Sequence, residues 1–336
     1  MNFWAKLKQP PWRTIVPGAC VVLIVPVGYL LWSPGLEVRD GRHDRTRNGI
    51  WISHGWLGDD SWFIRNAKTN EFTRYRSKES IQALAAKLRE HHITDVFPHL
   101  CPADAEGPIP EVDAAQVEKF LDEFAKFRVM PWIGGPNGSS ARYRNEKWRK
   151  AFINSVNELL AEHPRFAGVH LNVEPLTSGD TDFLKFLDEL KAALPPDKVF
   201  SIAAYPPPTR WQPSEDVHWD ESYFREVAKR CNQIAVMLYD TSLRFPKLYQ
   251  NLMADWTDEV LTWSEGKPVL LGVPTYSDVG VNYHHPRVEN LKNSLLGIHR
   301  GLSRQALPTN YQGVAIYCDW ETDEGEWKYF REHFLK

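Results

Sequence analysis

What most constrains this chain is an alternation repeated eight times. Short β-like runs lie at Gly49–Ser53, Asp95–Leu100, Val129–Gly134, Gly168–Glu174, Val199–Tyr205, Gln233–Asp240, Pro268–Tyr276 and Gly313–Trp320. Helical patterns separate them. One carries Ile81, Leu84, Ala85 and Leu88. The next carries Val117, Phe120, Leu121 and Phe124, opened by Asp113 with Gln116 three residues on, a capping-box-like start. Another carries Phe183, Phe186, Leu187 and Leu190. Each spacing puts the apolar side chains on one helical face. Strands that alternate with helices imply a parallel sheet, and eight is the number that closes into a barrel. The spacing therefore predicts an α/β chain whose residues 48–336 form a single (β/α)8 TIM barrel. An open doubly wound sheet would usually carry a glycine-rich phosphate turn after its first strand, and Ser53-His54-Gly55-Trp56 is not one.

The N-terminal part reads differently. Residues 14–32, TIVPGACVVLIVPVGYLLW, hold no charged side chain. That length suits a bilayer core, which takes roughly 20 apolar residues. Lys6, Lys8 and Arg13 precede it, and Ser33-Pro34-Gly35 is a poor cleavage site. The expected organisation is a short tail over 1–13, one uncleaved transmembrane signal anchor over 14–32 and a polar linker over 33–47. Arg39, Arg42, Arg45 and Arg47 follow closely, so the positive-inside rule does not separate the two sides. The expectation is a membrane-anchored domain outside the cytoplasm, periplasmic in a bacterium.

Composition narrows the partners. The 336 residues carry a net charge of −3, without the concentrated basic face that a nucleic-acid partner requires. Cys20, Cys101, Cys231 and Cys318 form no CxxC pair and no metal-ligand spacing, which suits buried free thiols. The 14 tryptophans are many, and flat aromatic faces suit either stacking on sugar rings or filling a core.

In barrels of this kind the active site gathers at the carboxyl ends of the strands. The fourth strand, Gly168 to Glu174, is the most informative. Val169, Leu171 and Val173 fall on one face, and Gly168, His170, Asn172 and Glu174 on the other, inside the barrel. Three polar groups in a row there are costly unless they bond one another or a ligand. A buried carboxyl among them is expected to have a raised pKa, as a general acid needs. The sixth strand ends Met237-Leu238-Tyr239-Asp240. The third ends Trp132-Ile133-Gly134-Gly135, where paired glycines would let a ligand approach the backbone. The seventh reads Gly272-Val273-Pro274-Thr275-Tyr276, and the eighth runs from Gly313 through Tyr317 to Trp320.

Taken together these motifs resemble glycoside hydrolase family 18, the chitinase-like barrels. The x-x-G-G turn of that family is matched by Trp132 to Gly135, its M-x-Y-D by Met237 to Asp240, and its G-x-P-x-Y by Gly272 to Tyr276. Its D-G-x-D-x-D-x-E motif is matched in part by Ala167 to Glu174, with His170 and Asn172 in place of two aspartates. Tyr317 holds the place of the usual floor tryptophan, with Trp320 close by. The Asn-x-Glu arrangement also resembles family 85 endo-hexosaminidases. The resemblance implies substrate-assisted retaining hydrolysis of a β-linked N-acetylhexosamine glycan. In it Glu174 is acid and base, Asn172 orients the acetamido group, Tyr239 bonds its oxygen, and Asp240 and Met237 shape the subsite. Tyr317 or Trp320 floors the ring, and His170 either fixes Asn172 or is a satisfied core histidine. Trp132, Gly134, Gly135 and Tyr276 complete the expected substrate-binding set. No cofactor or metal is implied, and the partner is an oligo- or polysaccharide.

Other readings stay open. A two-carboxylate retaining enzyme would need a nucleophilic Glu at the end of the seventh strand, where the sequence offers Tyr276, Ser277 and Asp278. His99, His170 and Asp240 could converge on a metal, although no H-x-H or H-E-x-x-H spacing supports it. A lectin-like relative would bind sugar without cleaving it. Its discriminator is Glu174, because binding-only relatives most often lose the acid.

Overall fold

Successive side chains of a strand point to opposite faces, so each strand of this chain feeds two different cores. The computed structural model describes residues 25–29 and 38–336, apart from 213, 278 and 279. Its strands are β1 (Asn48–Ile52), β2 (Ile93–Pro98), β3 (Arg128–Val129), β4 (Trp132–Pro136), β5 (Gly168–Glu174), β6 (Val199–Ala204), β7 (Gln233–Met237), β8 (Val269–Pro274) and β9 (Tyr311–Tyr317). They form one parallel sheet in the order β3-β2-β1-β9-β8-β7-β6-β5-β4. The helices between them are α1 (Asp60–Arg65), α2 (Lys78–Glu90), α3 (Ala114–Glu123), α4 (Glu146–Glu162), α5 (Thr181–Ala193), α6 (Glu221–Arg230), α7 (Pro246–Trp263), α8 (Leu291–Leu302) and α9 (Glu324–His333).

The third expected strand is two pieces. β3 and β4 stand at opposite ends of the strand order, yet only Met130 and Pro131 separate them in the chain. Pro131 has no N–H to offer a ladder, which is why the strand breaks there. The break does not open the sheet. The Met130 N–H donates to the Val96 carbonyl of β2, and the His170 N–H of β5 donates to the Pro131 carbonyl. His99, just past β2, bridges Trp132 of β4. The sheet thus closes on itself into a TIM-barrel-like α/β fold with eight strand positions.

Two layers fill it. Val169, Leu171 and Val173 join the large outer core beneath the helices. Trp51, Phe97, Met130, Ala235, Leu270 and Ala315 make a smaller core within the barrel. α5 shows how the outer layer is held. Asp180 caps it by accepting the Phe183 N–H, and Phe183, Phe186, Leu187 and Leu190 are buried on one face. Each such side chain contributes about 1.5–3 kcal/mol of burial. The expected capping box of α3 is only half formed. Asp113 accepts the Gln116 N–H, but the Gln116 amide donates to the carbonyls of Trp56 and Tyr75 instead of returning to the cap. A buried amide needs partners for both its hydrogens, and these two carbonyls supply them. A full capping box does occur in α9, between Asp323 and Glu326.

The anchor expected at 14–32 lies outside the described residues, except for a helical stretch at 25–29. Among the described residues no helix is long and apolar enough to cross a membrane. Cys101, Cys231 and Cys318 are buried free thiols.

Candidate active site

At the carboxyl ends of the strands lies a cavity of about 830 Å³. Ten of the twelve residues singled out in the sequence line it. β4 and its end supply Trp132 and Gly135, and β5 supplies Asn172 and Glu174. The end of β7 supplies Met237, Tyr239 and Asp240. Tyr276 follows β8, Tyr317 ends β9, and Trp320 stands just beyond.

The remaining two serve the frame. His170 is fully buried below the cavity. The Trp51 indole N–H donates to its Nε2 at 3.1 Å, and its Nδ1 lies 2.9 Å from Ser201 Oγ. Since Nε2 accepts, the ring proton sits on Nδ1 and is donated to the hydroxyl. The ring also stacks on Phe97, with centroids 4.0 Å apart. Burial pushes its pKa down to about 3, so it is neutral. His170 therefore does not line the cavity and bonds Trp51 and Ser201 rather than Asn172, and with both nitrogens taken it has none to offer a metal. Gly134 has φ 116°, and a Cβ there would lie 2.0 Å from the Asn172 carbonyl oxygen. Its missing side chain admits the neighbouring strand, not a ligand.

Glu174 and Asn172 form the polar centre. The Asn172 Nδ2 donates to Glu174 Oε1 at 3.1 Å. The Asn172 Oδ1 is buried and has no partner among the described residues. Burial raises the pKa of Glu174. The Asn172 bond opposes this, and the negative charge of Asp240 adds to it. A carboxyl so placed holds its proton at a pH where a free one would have lost it. Burial also pushes up the phenols of Tyr239 and Tyr317, reinforced by nearby negative groups including Glu174 and Asp240. Both stay neutral hydroxyls. The Tyr239 and Tyr317 rings lie nearly parallel, 5.6 Å apart, and Trp320 meets Tyr317 edge-on at 5.7 Å. Trp320 is 39 % exposed, an aromatic face left open at the rim.

Asp240 has φ 63°, a left-handed backbone that points its carboxylate back toward Tyr276 and His284. The Tyr276 hydroxyl donates to Asp240 Oδ1, and His284 Nδ1 lies 3.1 Å from the same oxygen. Behind His284 sits Glu289, which accepts the Thr241 N–H. Asp240, His284 and Glu289 could in principle face one ion. Their partners argue otherwise: 3.1 Å is a hydrogen-bond separation, and Asp240 and Glu289 each already accept from a protein donor.

Sequence reasoning missed several wall residues and weighed His99 only as a metal ligand. Trp51 and His99, at the ends of β1 and β2, line the cavity, as do Cys101 and Tyr205. His99 packs between Trp132, at 4.0 Å, and His54, at 3.7 Å. Trp51, His99 and Tyr205 lay within or at the end of expected strands, so the strand-end rule could have found them. Gln212, Asp216 and His218 come from the irregular loop after β6, which carries no periodic signal.

The model of glycosyl hydrolases family 18 matches residues 71–322. No curated protein matches the chain. Among solved structures, the spore cortex-lytic enzyme SleL of Bacillus megaterium QM B1551 is similar with a TM-score of 0.55 and 12 % identity, over 86 % of this chain and 74 % of that one. A chitinase from Chromobacterium violaceum ATCC 12472 gives 0.52 at 13 % identity, over 86 % and 99 %. A β-1,4-D-mannanase from Cryptopygus antarcticus gives 0.52 at 11 % identity, over 85 % and 89 %. At such identities the likeness is one of fold.

Proposed function

Since this chain belongs to glycosyl hydrolases family 18 and is a glycoside hydrolase, we propose that it cleaves β-linked N-acetylhexosamine glycans by substrate-assisted retaining catalysis. The observation that carries this reading is the Asn172–Glu174 pair: a buried acceptor without a partner among the described residues, beside a buried carboxyl 3.1 Å away whose pKa burial raises.

A sugar bearing a 2-acetamido group supplies what the pair lacks. Its amide N–H would be accepted by Asn172 Oδ1, and its carbonyl oxygen would then face the anomeric carbon. Glu174 donates its proton to the glycosidic oxygen as the bond from that oxygen to the anomeric carbon breaks. The acetamido oxygen closes on the carbon from the opposite side. Glu174, now a carboxylate, takes a proton from the water that reopens the ring, which returns both groups to their starting state with retained configuration. The neutral hydroxyl of Tyr239 is suited to bond the acetamido oxygen as it becomes cyclic, and Met237 and Asp240 shape the same subsite. Tyr317 and Trp320 offer aromatic faces to the rings. A two-carboxylate mechanism would need a nucleophilic Glu at the end of β8. The described residues there, Thr275, Tyr276 and Ser277, provide none.

The charge-free segment 14–32, preceded by Lys6, Lys8 and Arg13, supports an uncleaved anchor holding the barrel near a membrane, outside the cytoplasm. Its substrate would then be an extracytoplasmic polymer. A protease-protection assay that placed the barrel in the cytoplasm would remove this part of the reading.

The direct test is hydrolysis of an aryl β-N-acetylchitobioside by the full-length chain, beside its Glu174→Gln variant. Turnover that the variant loses supports the proposal. Sugar binding without turnover in either would turn the reading to a lectin-like relative.

A further inference from the structure

Behind the cavity wall, His284 occupies a place that its neighbours define closely. Its side chain is fully buried and stacks on Tyr276, with centroids 4.0 Å apart. Its Nε2 lies 3.1 Å from the Tyr276 carbonyl oxygen. A carbonyl can only accept, so Nε2 carries a hydrogen. Its Nδ1 lies 3.1 Å from Asp240 Oδ1 and 3.9 Å from Glu289 Oε2. With a bare Nδ1, a lone pair would face two carboxyl groups in a buried site. A hydrogen there turns both contacts into attractions.

We propose that His284 is a positioning residue for the site: protonated on both ring nitrogens, it spans the Tyr276 carbonyl and Asp240 and clamps the Asp240 carboxyl at the cavity wall, with Glu289 as the buried counter-charge behind it. The catalytic use of the clamp rests on the glycosidase reading above; the clamp itself does not.

Three further observations fit. Glu289 is 1 % exposed, holds the Thr241 N–H through Oε2, and its Oε1 has no partner among the described residues. Burial pushes its pKa up to about 7, opposed by the Thr241 N–H and by His284, so this carboxyl draws on the proposed cation 3.9 Å away to hold its charge. The backbone ties the two loops together as well, the Ser242 N–H donating to the Tyr283 carbonyl. Finally, burial pushes His284 toward the neutral form, yet the bond to Asp240 and the charges of Glu289 and Asp240 raise its pKa. His170, buried without a carboxylate partner, is pushed down.

The groups facing this ring are few. Asp240 and Tyr239 come from the end of β7, Tyr276 from the end of β8, and Tyr249 from α7, its phenol facing Glu289. Glu289 and His285 share the loop of His284, with Arg244 facing His285. Asp240 in turn acts on Glu174. The clamp therefore fixes the carboxylate whose charge helps Glu174 keep its proton.

The test uses ¹⁵N spectra of the histidine rings in the full-length chain, across pH 5 to 9, with His284→Gln for assignment. The expected result at about pH 7 is two N–H nitrogens on His284 while His170 shows one bare nitrogen. Asp240→Asn and Glu289→Gln should each move the loss of the second proton to lower pH. A bare Nδ1 at pH 7 in the wild-type protein would overturn the clamp, and so would an Nδ1 shift typical of metal coordination together with a stoichiometric bound metal. In kinetics, His284→Gln is expected to lower kcat/KM about tenfold or more, and Glu289→Gln to move the alkaline limb of the pH–rate profile to lower pH. Wild-type rates and an unchanged profile in both variants would overturn the positioning role. If the wild-type chain turns over no substrate, the glycosidase reading has failed, and the spectra still decide whether the clamp exists.

Discussion

The two ends of the barrel each bury a carboxyl group, and they use it in opposite ways. At the amino-terminal end, Asp95 of β2 accepts from Gln233 at 2.5 Å and from Gln312 at 2.9 Å, with the Arg128 guanidinium 3.2 Å away. At the carboxyl end, Glu174 has Asn172 as its one side-chain partner among the described residues and a cavity in front of it. Burial raises the pKa of both. What separates them is what stands in front of each, since Asp95 too keeps an oxygen, Oδ1, without a hydrogen-bond partner among the described residues. Asp95 is enclosed by three side chains from other strands and closes the barrel floor. Glu174 faces the cavity with capacity that a ligand can meet. A buried charge walled in by side chains is architecture; one that opens on a cavity is a candidate for chemistry.

Substitution at the two ends should separate the roles cleanly. Glu174→Gln is expected to lower turnover of an aryl chitobioside by about 10³-fold, within the range of a lost general acid, with thermal stability equal or higher. Asp95→Ala should do the reverse. It orphans two amide donors and a guanidinium, and is expected to cost about 3 kcal/mol in denaturant unfolding while the folded fraction keeps its kcat. If Asp95→Ala abolished turnover at full stability, the contrast would be wrong.

Finer cuts follow within the upper end. Asn172→Ala removes both the bond to Glu174 and the free acceptor, and should lower kcat by about 10²-fold, as loss of a transition-state hydrogen bond does. Trp320→Ala takes away one open aromatic face worth about 1 kcal/mol, so KM should rise about fivefold with kcat little changed. The gentlest probe is pH. The folded-state pKa of Glu174 is raised, so its contribution to stability is whole below the unfolded value of about 4.3 and is lost as pH rises through the folded value. The Tm of Glu174→Gln relative to wild type should therefore climb over that window and then level off. A difference that stayed flat from pH 4 upward would show that Glu174 is not held protonated.

Much of this was legible in the sequence, for a physical reason. All eight β-like runs form strand, because a period of two with β-branched residues leaves little else for a buried segment to do. β5 matches its expected bounds, and its inward residues Asn172 and Glu174 reach the cavity. Where the reading failed, the cause was tertiary. Pro131 broke a strand that periodicity made continuous. His170 shared the face of Asn172 but sat one layer lower, where Trp51 and Ser201 met its needs. Gly134 served a neighbouring strand. His284 and Glu289 come from a loop whose spacing says nothing of where it folds back. The run Tyr283-His284-His285 was the only hint.

The left-handed backbone at Asp240 bears on how this chain could change over time. Asparagine tolerates that conformation as readily as aspartate, whereas alanine and β-branched residues resist it. The commonest gentle route away from Asp240 is therefore the one that drops the charge and keeps the shape. A lineage could silence the carboxylate in a single step without disturbing the turn, and regain it by one step back. Libraries built at this position should return asparagine and glycine among folded clones far more often than valine.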